Sequence, residues 1–271
     1  MEQRETMDSL IDGLNSDDVE IRKQAIENAV SSPDDEIVDR LIQLIQEPDV
    51  GKDSREAAAV ALAQMPNHRG GEFLLELICS DDAVLRGLAA VGLRHCQTET
   101  SMSVLIEALA DKVNTVRNLA ERSLMTKLDV VRQKGVERLL ELLNHPVSLT
   151  RSPAARVIGM THDPRALQPL LNILQTDRQW LARLWAAKAL GDLGLTEAFN
   201  ALAEVLKTDE KNRVRAAAAE AIGKLRAPMS AELLKLALKD EDDGVRKVAE
   251  ESLIVLAEAG FHDDGDPFAD D

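Results

Sequence analysis

Apolar side chains recur along this chain at the spacing of one helix face, in short segments separated by polar turns. The first segment carries Ile11 and Leu14, and after the polar residues 15–18 a second segment begins with Ile21 and Ala25. Apolar residues at positions i, i+3, i+4 and i+7 place one stripe of an α-helix against a core. The pattern therefore predicts pairs of amphipathic helices, which we call helix A and helix B.

A single arginine marks the same point of helix B in every pair. Successive arginines are separated by 31 to 34 residues. The eight arginines are Arg22, Arg55, Arg86, Arg117, Arg151, Arg183, Arg215 and Arg246. An alanine follows each of them after three residues, and an aliphatic residue follows after seven. Self-similarity at this period indicates a stack of helical repeats in which each repeat packs only on its neighbours.

We predict an all-α fold, a right-handed α-α superhelix of about eight two-helix repeats whose B helices line an extended concave surface. The repeats are expected near residues 7–32, 33–66, 67–97, 98–126, 127–161, 162–194, 195–226 and 227–259. Residues 260–271 are rich in aspartate and broken by Gly and Pro, so we predict a disordered acidic tail there.

Turn chemistry predicts several helix boundaries. Ser-Pro at 32–33 and Asp-Pro at 163–164 each place an N-cap residue before a proline, which suits the first turn of a helix. In the fifth repeat, Ser-Pro at 152–153 predicts a late start of helix B. A glycine follows the arginine after eight residues in repeats five to seven, where a left-handed cap is expected. These are Gly159, Gly191 and Gly223.

The repeated unit resembles the HEAT repeat, whose helix B carries Val or Ile before Arg, followed by Ala and Leu. Its short length and openings such as Asp-Pro-Arg-Ala-Leu at 163–167 are similar to the HEAT-like repeats of phycobilisome lyase-type proteins. The resemblance covers roughly residues 7–257. It implies that a turn aspartate bonds to the helix-B arginine of a neighbouring repeat, although the turn of repeat five lacks an aspartate. The aspartates placed for this contact are Asp18, Asp111, Asp177, Asp209 and Asp240.

Charge narrows the classes of partner. The net charge is −16, which disfavours nucleic-acid binding because that function needs a basic footprint. The charge is uneven, since residues 126–190 carry 10 Lys and Arg against 5 Asp and Glu. An acidic chain with a basic middle favours an acidic protein segment as the partner.

Composition also bounds the chemistry and the location. The chain has 4 Phe, 2 Trp and no Tyr, so it offers few stacking platforms for bases or planar cofactors, and we predict no cofactor. No signal peptide and no apolar run of ~20 residues is present, which predicts a cytoplasmic protein without a membrane partner. The two cysteines, Cys79 and Cys96, end apolar helices and are expected in the core.

One position of helix B changes from acid to cation in the middle of the chain. Five residues after the arginine stand Arg122, Arg156 and Lys188 in three consecutive repeats, and Arg94, eight residues after the arginine of the third repeat, extends the run. Stacked helices lie ~10 Å apart, so these cations would form a row facing an acidic ligand, which we call the cation row. The alternative is that they are ordinary solvated helix charges.

The two tryptophans occupy different positions of the same repeat. Trp180 stands where other repeats are mostly polar, and together with Arg178 it is predicted as an exposed interface anchor, the alternative being a local cap. Trp185 stands where other repeats are mostly apolar, so we predict that it belongs to the core between repeats.

Catalytic and metal-binding constellations are not predicted. None of the five histidines precedes a glutamate, which departs from the His-Glu pairs of HEAT-type iron hydroxylases, and no two histidines stand four residues apart. In the tail, Phe261 and Phe268 lie among acids. They suit a short linear motif or a segment that covers the cation row, and the alternative is an inert solubilising end.

These observations predict a non-catalytic protein-binding scaffold or adaptor that recognises an acidic protein segment on its concave surface. The family resemblance also allows a bilin lyase-type subunit or chaperone that holds a tetrapyrrole for a phycobiliprotein. A HEAT-like DNA glycosylase is disfavoured by the net charge and by the few aromatic residues.

Overall fold

A computed structural model describes residues 2–31, 34–65, 68–96 and 98–260 of the chain. In these residues every regular element is helical, and the helices follow one another as antiparallel pairs. The described chain divides into two compact units, Met1–Gly135 and Val136–Asp271. The division falls inside the predicted fifth repeat. The all-α fold of stacked helix pairs is therefore confirmed within each unit.

The first unit contains four complete helix pairs and the beginning of a fifth. The pairs are α1 (Glu2–Leu14) with α2 (Val19–Ser31), α3 (Asp35–Gln46) with α4 (Lys52–Gln64), α5 (His68–Leu77) with α6 (Ala83–Leu93), and α7 (Glu99–Glu107) with α8 (Asn114–Met125). The unit ends with α9 (Leu128–Val130) and a π-helical turn, Val131–Gly135.

The second unit continues in the same manner. Its helices are α10 (Val136–Leu143), α11 (Ser148–Gly159), α12 (Leu167–Thr176), α13 (Trp180–Leu193), α14 (Phe199–Thr208), α15 (Asn212–Leu225), α16 (Ser230–Ala237) and α17 (Asp243–Glu258). The B helices α11, α13, α15 and α17 pack side by side in sequence order.

The sequence pattern explains the core of each unit. All eight alanines that follow the arginine after three residues are buried, and Ala58 and Ala186 are 0% exposed. Of the eight apolar residues four positions later, seven are buried, as Leu62 and Leu190 are, and Leu253 is half-buried. Small side chains let neighbouring B helices approach closely, and the leucines fill the space between helix A and helix B.

The prediction that the glycines of repeats five to seven cap helix ends is wrong. A Cβ on Gly159 would lie 2.7 Å from the Cα of Ala189, and one on Gly191 would lie 2.7 Å from the Cα of Ala221. These glycines belong to the helices, Gly159 as the last residue of α11, and permit close contact of one B helix with the next. The left-handed conformation occurs three residues later, at His162, Gly194 and Arg226, which have φ of 56°, 76° and 50°.

The predicted start of helix B in the fifth repeat is also wrong. Helix α11 begins at Ser148, and Pro153 lies inside it in a buried position. The irregularity of this repeat is found in helix A, where the π-helical turn precedes α10. The Ser-Pro cap predicted at 32–33 lies outside the described residues, and Asp34 caps α3 by accepting from the backbone N–H of Glu36. Asp163 caps its helix as predicted.

Length and polarity decide whether a helix can cross a membrane. Among the described residues, every helix is too short or too polar to cross a lipid bilayer.

Candidate partner-binding surface

The repeated arginine binds the turn of its own repeat. In each of seven repeats one guanidinium NH group donates to the backbone carbonyl of the residue six positions earlier, as when Arg183 donates to Asp177 O at 2.9 Å. In the remaining repeat, Arg55 donates to Ile45 O at 2.7 Å. The arginine therefore satisfies a carbonyl where the chain reverses from helix A to helix B.

The same arginine also reaches the turn aspartate of the following repeat. The Nε atoms of Arg86 and Arg151 each lie 2.6 Å from a carboxylate oxygen, of Asp111 and Asp177 respectively. Two further contacts of this kind are Arg183 with Asp209 at 2.7 Å and Arg215 with Asp240 at 2.9 Å. We call this set the Arg–Asp ladder.

Each aspartate of the ladder has a second role. Asp209 accepts from the backbone N–H of Lys211 at 2.9 Å, and Asp240 accepts from that of Asp242 at 2.9 Å. The hydrogen bond from Arg215 lowers the pKa of Asp240, and the same contact raises the pKa of the arginine. The carboxylate thus orders its own turn and ties it to the preceding repeat, so the ladder is structural.

The ladder has gaps where the turn sequence changes. Asp18 accepts from the backbone N–H of Glu20 and caps α2. Its predicted ladder contact is wrong, because a ladder aspartate binds the arginine of the preceding repeat and Arg22, the first of the repeated arginines, follows Asp18 in the sequence. Arg22 instead lies 3.6 Å from Asp53. Arg117 donates to Asn114 at 3.1 Å, within its own helix. Arg246 pairs with Asp243, also within its own helix.

The second unit places two cations against Trp185. The guanidinium carbon of Arg156, on α11, lies 4.2 Å from the centre of the indole ring. The Nζ atom of Lys188, on α13, lies 5.9 Å from the same centre. Trp185 is half-buried, so the prediction that it belongs to the core is wrong. Residues Arg156, Trp185 and Lys188 form what we call the Trp185 cluster.

An alternating charge chain extends from this cluster. Lys188 Nζ lies 2.7 Å from Glu220, and Glu220 lies 2.8 Å from Lys224. Lys224 also lies 2.8 Å from Asp192. Burial raises the pKa of Glu220, but the hydrogen bonds from both lysines outweigh it and hold the pKa below its usual value. The predicted cation row is therefore partly neutralised by acids of the chain itself.

The other two cations of the predicted row lie in the first unit. Arg122 is exposed on α8. Arg94 is half-buried at the end of α6 and donates from Nε to His95 Nε2 at 2.9 Å. Arg94 thus contacts a histidine of its own turn.

Trp180 and Arg178 lie at the turn end of the repeats. Trp180 is half-buried, and the guanidinium carbon of Arg213 lies 5.8 Å from its ring centre. Arg178 is exposed and lines an open groove of about 450 Å³ with His145 and Asn172. The indole of Trp180 is thus covered by a cation of the next repeat.

The remaining candidate groups show no catalytic arrangement among the described residues. Burial, Arg94 and Lys127 lower the pKa of His95 to about 4, so its ring is neutral near pH 7. Burial raises the pKa of the Cys96 thiol, which opposes thiolate formation. Cys79 is exposed and Cys96 half-buried, so their predicted place in the core is wrong.

Two further predictions concern a metal site and the tail. Within the described residues, no group of three His, Cys, Asp or Glu side chains could hold a metal ion. The predicted tail motif, Phe261 with Phe268, lies outside the described residues.

Comparison with known proteins concerns the repeat and the fold. The sequence profile of the family described as HEAT repeats matches residues 7–94, 102–191 and 167–254. A search of curated protein sequences finds no match.

Several solved structures share the fold at low identity. In a complex with RanGDP, yeast Kap95p, an importin-β, is 15% identical with a TM-score of 0.63 over 94% of this chain and 40% of that chain. In the Kap95:Nup1 complex the identity is 14% and the TM-score 0.59, over 94% and 40%. Human deoxyhypusine hydroxylase is 20% identical with a TM-score of 0.41, over 94% and 96%.

Proposed function

Because this chain belongs to the HEAT repeat family, we propose that it is a non-catalytic scaffold that binds an acidic segment of another protein. The Trp185 cluster carries the proposal, since Arg156 lies 4.2 Å from the centre of an indole that a lysine also approaches. Solenoid repeats present extended surfaces of this kind to other proteins. Kap95p, which shares the fold, is seen in complexes with RanGDP and with Nup1.

The cluster suits carboxylates for a physical reason. A guanidinium that stacks on an indole uses its face for the ring, while its N–H groups point outward in the plane of the ion. Such a group is less mobile than a fully solvated arginine, so a hydrogen-bonded carboxylate costs less side-chain entropy. Lys188 adds a second positive charge on the same ring. The proposed partner is therefore a segment with at least two acidic side chains.

Other predicted residues extend the proposal. Arg122, in the first unit, stays a predicted partner-binding cation, and Arg178 with Trp180 would contact the partner at the turn end of the second unit. In the tail, Phe261 and Phe268 stay a predicted motif. The partner-binding role of all these residues is part of the proposal.

A double variant that removes both positive charges of the cluster tests the function. We expect a display library of random peptides to yield Asp- and Glu-rich sequences that bind the protein more weakly as salt rises. The double variant R156E/K188Q should bind the selected peptides about tenfold more weakly or worse, because attraction at two cations is lost. Binding is measured by fluorescence anisotropy at two salt concentrations.

The matched control removes the same charge elsewhere. Lys207 and Lys239 are exposed in the second unit, away from helix B. The variant K207E/K239Q has the same net charge as R156E/K188Q and should bind the peptides as the wild type does. Equal binding by the two double variants would refute the Trp185 cluster as the recognition site.

The lyase-type alternative has a simple test. A bilin held by the chain would change its visible absorbance and fluorescence on mixing. The sequence has 2 Trp and no Tyr, and each tryptophan has an arginine over its ring, so we favour the scaffold.

A further inference from the structure

The cation that the proposed function assigns to a partner already holds a carboxylate of this chain. Lys188 Nζ lies 2.7 Å from Glu220 Oε2, and the two side chains are 33% and 34% exposed. Glu220 stands on α15 at the same repeat position that Lys188 occupies on α13. Glu220, the acid that follows the predicted cation row, therefore pairs with Lys188, the last cation of that row.

We infer that Glu220 is a built-in competitor, and that an acidic partner binds by displacing it from Lys188. This inference rests on the proposed function and describes how that same surface is regulated. In the unbound protein Glu220 lowers the positive potential beside Trp185. A partner carboxylate that takes the place of Glu220 restores the ion pair of Lys188.

The surrounding charges make the exchange feasible. Glu220 also lies 2.8 Å from Lys224, so it keeps one lysine when it releases the other. Lys224 in turn keeps Asp192 at 2.8 Å. Lys188, Glu220, Lys224 and Asp192 thus each retain a partner after the exchange, and none of these four charges is left alone. Partial exposure of Lys188 and Glu220 further limits the cost of separating them.

The competitor also defines the class of partner. A single carboxylate gains little at Lys188, because it only replaces the one that leaves. A segment with a second carboxylate beside Arg156 is attracted by the charge of that guanidinium as well. Arg156 and Lys188 both lie within 5.9 Å of the same ring centre, so one extended segment can contact both. The surface therefore selects multivalent acidic segments over isolated acids.

The test compares two glutamates of the same repeat position. The probe is a fluorescein-labelled oligoglutamate peptide, and binding is followed by anisotropy with the full chain. We expect E220Q to bind the probe about two- to fivefold more tightly than wild type, the range expected for one partly exposed ion pair. The matched control is E251Q, which makes the same change on α17, where Glu251 pairs with Lys247 of its own helix.

A double-mutant cycle separates the local effect from net charge. In a K188Q background E220Q should give no gain, because the competitor then has nothing to release. A gain that persists in this background, or an equal gain for E251Q, overturns the inference. If E220Q gives no gain while R156E/K188Q still weakens binding, the inference fails and the proposed function stands. If R156E/K188Q binds oligoglutamate as the wild type does, both fail.

Discussion

At the scale of single residues, the same side-chain type has different roles because its surroundings differ. The repeated arginines donate to turn carbonyls and ladder aspartates, and Arg86 and Arg215 are buried. Arg156, five residues after Arg151 on the same helix, stacks on an indole instead. His95 is a third case, since its neighbours Arg94 and Lys127 are both cationic.

The neutral state of His95 predicts a pH dependence of stability. The unfolded chain takes up a proton at the ordinary pKa of 6.5, whereas the folded chain does so only at about 4. Between these values the unfolded state binds the extra proton, so the free energy of unfolding decreases as pH falls through that window. We expect H95Q to lose less stability than wild type between about pH 7 and pH 5. Urea unfolding followed by circular dichroism measures this.

An exposed histidine provides the comparison. His162 has φ of 56°, a conformation that asparagine tolerates, and its ring is exposed. The variant H162N should therefore lose as much stability as the wild type on acidification. A pH profile of H95Q that overlays the wild-type profile would contradict the role of His95.

At the scale of elements, glycine and alanine set how closely B helices approach. Gly159, Gly191 and Gly223 each face a residue of the next B helix, and an added Cβ would come within 2.8 Å of it. Helix propensity favours alanine over glycine inside a helix by about 1 kcal/mol. Glycine therefore occupies these positions, despite the higher helix propensity of alanine, because the close packing of neighbouring B helices requires it.

Replacing one of these glycines tests the packing argument. In G191A the new Cβ would lie 2.7 Å from the Cα of Ala221, which is backbone and cannot rotate away. We expect a loss of about 1–3 kcal/mol in the free energy of unfolding, as for overpacked cores. In the control G71A, which lies inside α5, the nearest atom is Cys96 Sγ at 3.9 Å, so the change should not lower the free energy of unfolding. Equal losses for both variants in urea unfolding would refute the packing explanation.

At the scale of the whole molecule, stability comes from contacts between successive repeats. The Arg–Asp ladder is one such contact, and the packing of α13 on α11 and α15 is another. In such arrays the effect of one change is local, because each repeat touches only its neighbours. Local loss of stability is visible in amide hydrogen exchange.

Removing one ladder carboxylate should loosen only part of the chain. The side chain of Asp209 is 6% exposed and holds Arg183, so D209N should cost about 2 kcal/mol by leaving that charge with the exposed carboxylate of Glu210 alone, 3.8 Å away. We expect faster exchange in α13, α14 and α15, with exchange in α2 and α4 unchanged. Hydrogen exchange followed by mass spectrometry resolves these segments.

The neighbouring glutamate is the control for that change. Glu210 lies 3.8 Å from the same arginine but is 72% exposed. The variant E210Q should change stability by less than about 0.5 kcal/mol, as exposed ion pairs do. If D209N increases exchange uniformly over both units, the ladder is not a local tie.

By itself, the sequence determined the repeat, the helix pairs and the buried alanine column. These depend on periodicity, because a residue every three or four positions on a helix must face the same neighbour. It also located the arginines and all four aspartates of the ladder. Asp18 was assigned wrongly, because a ladder aspartate binds the repeated arginine of the preceding repeat, and the first of these arginines, Arg22, follows Asp18 in the sequence.

Only the tertiary structure decided what the individual surface residues contact. Trp185 has an apolar position in the repeat, yet an arginine from the preceding repeat covers its ring, and Lys188 is neutralised by a glutamate from the next repeat. The same holds for Gly191, whose role depends on the backbone of Ala221. These contacts join residues about thirty positions apart. Their geometry follows from how closely two helices pack, and the hydrophobic pattern of either helix alone does not contain that distance.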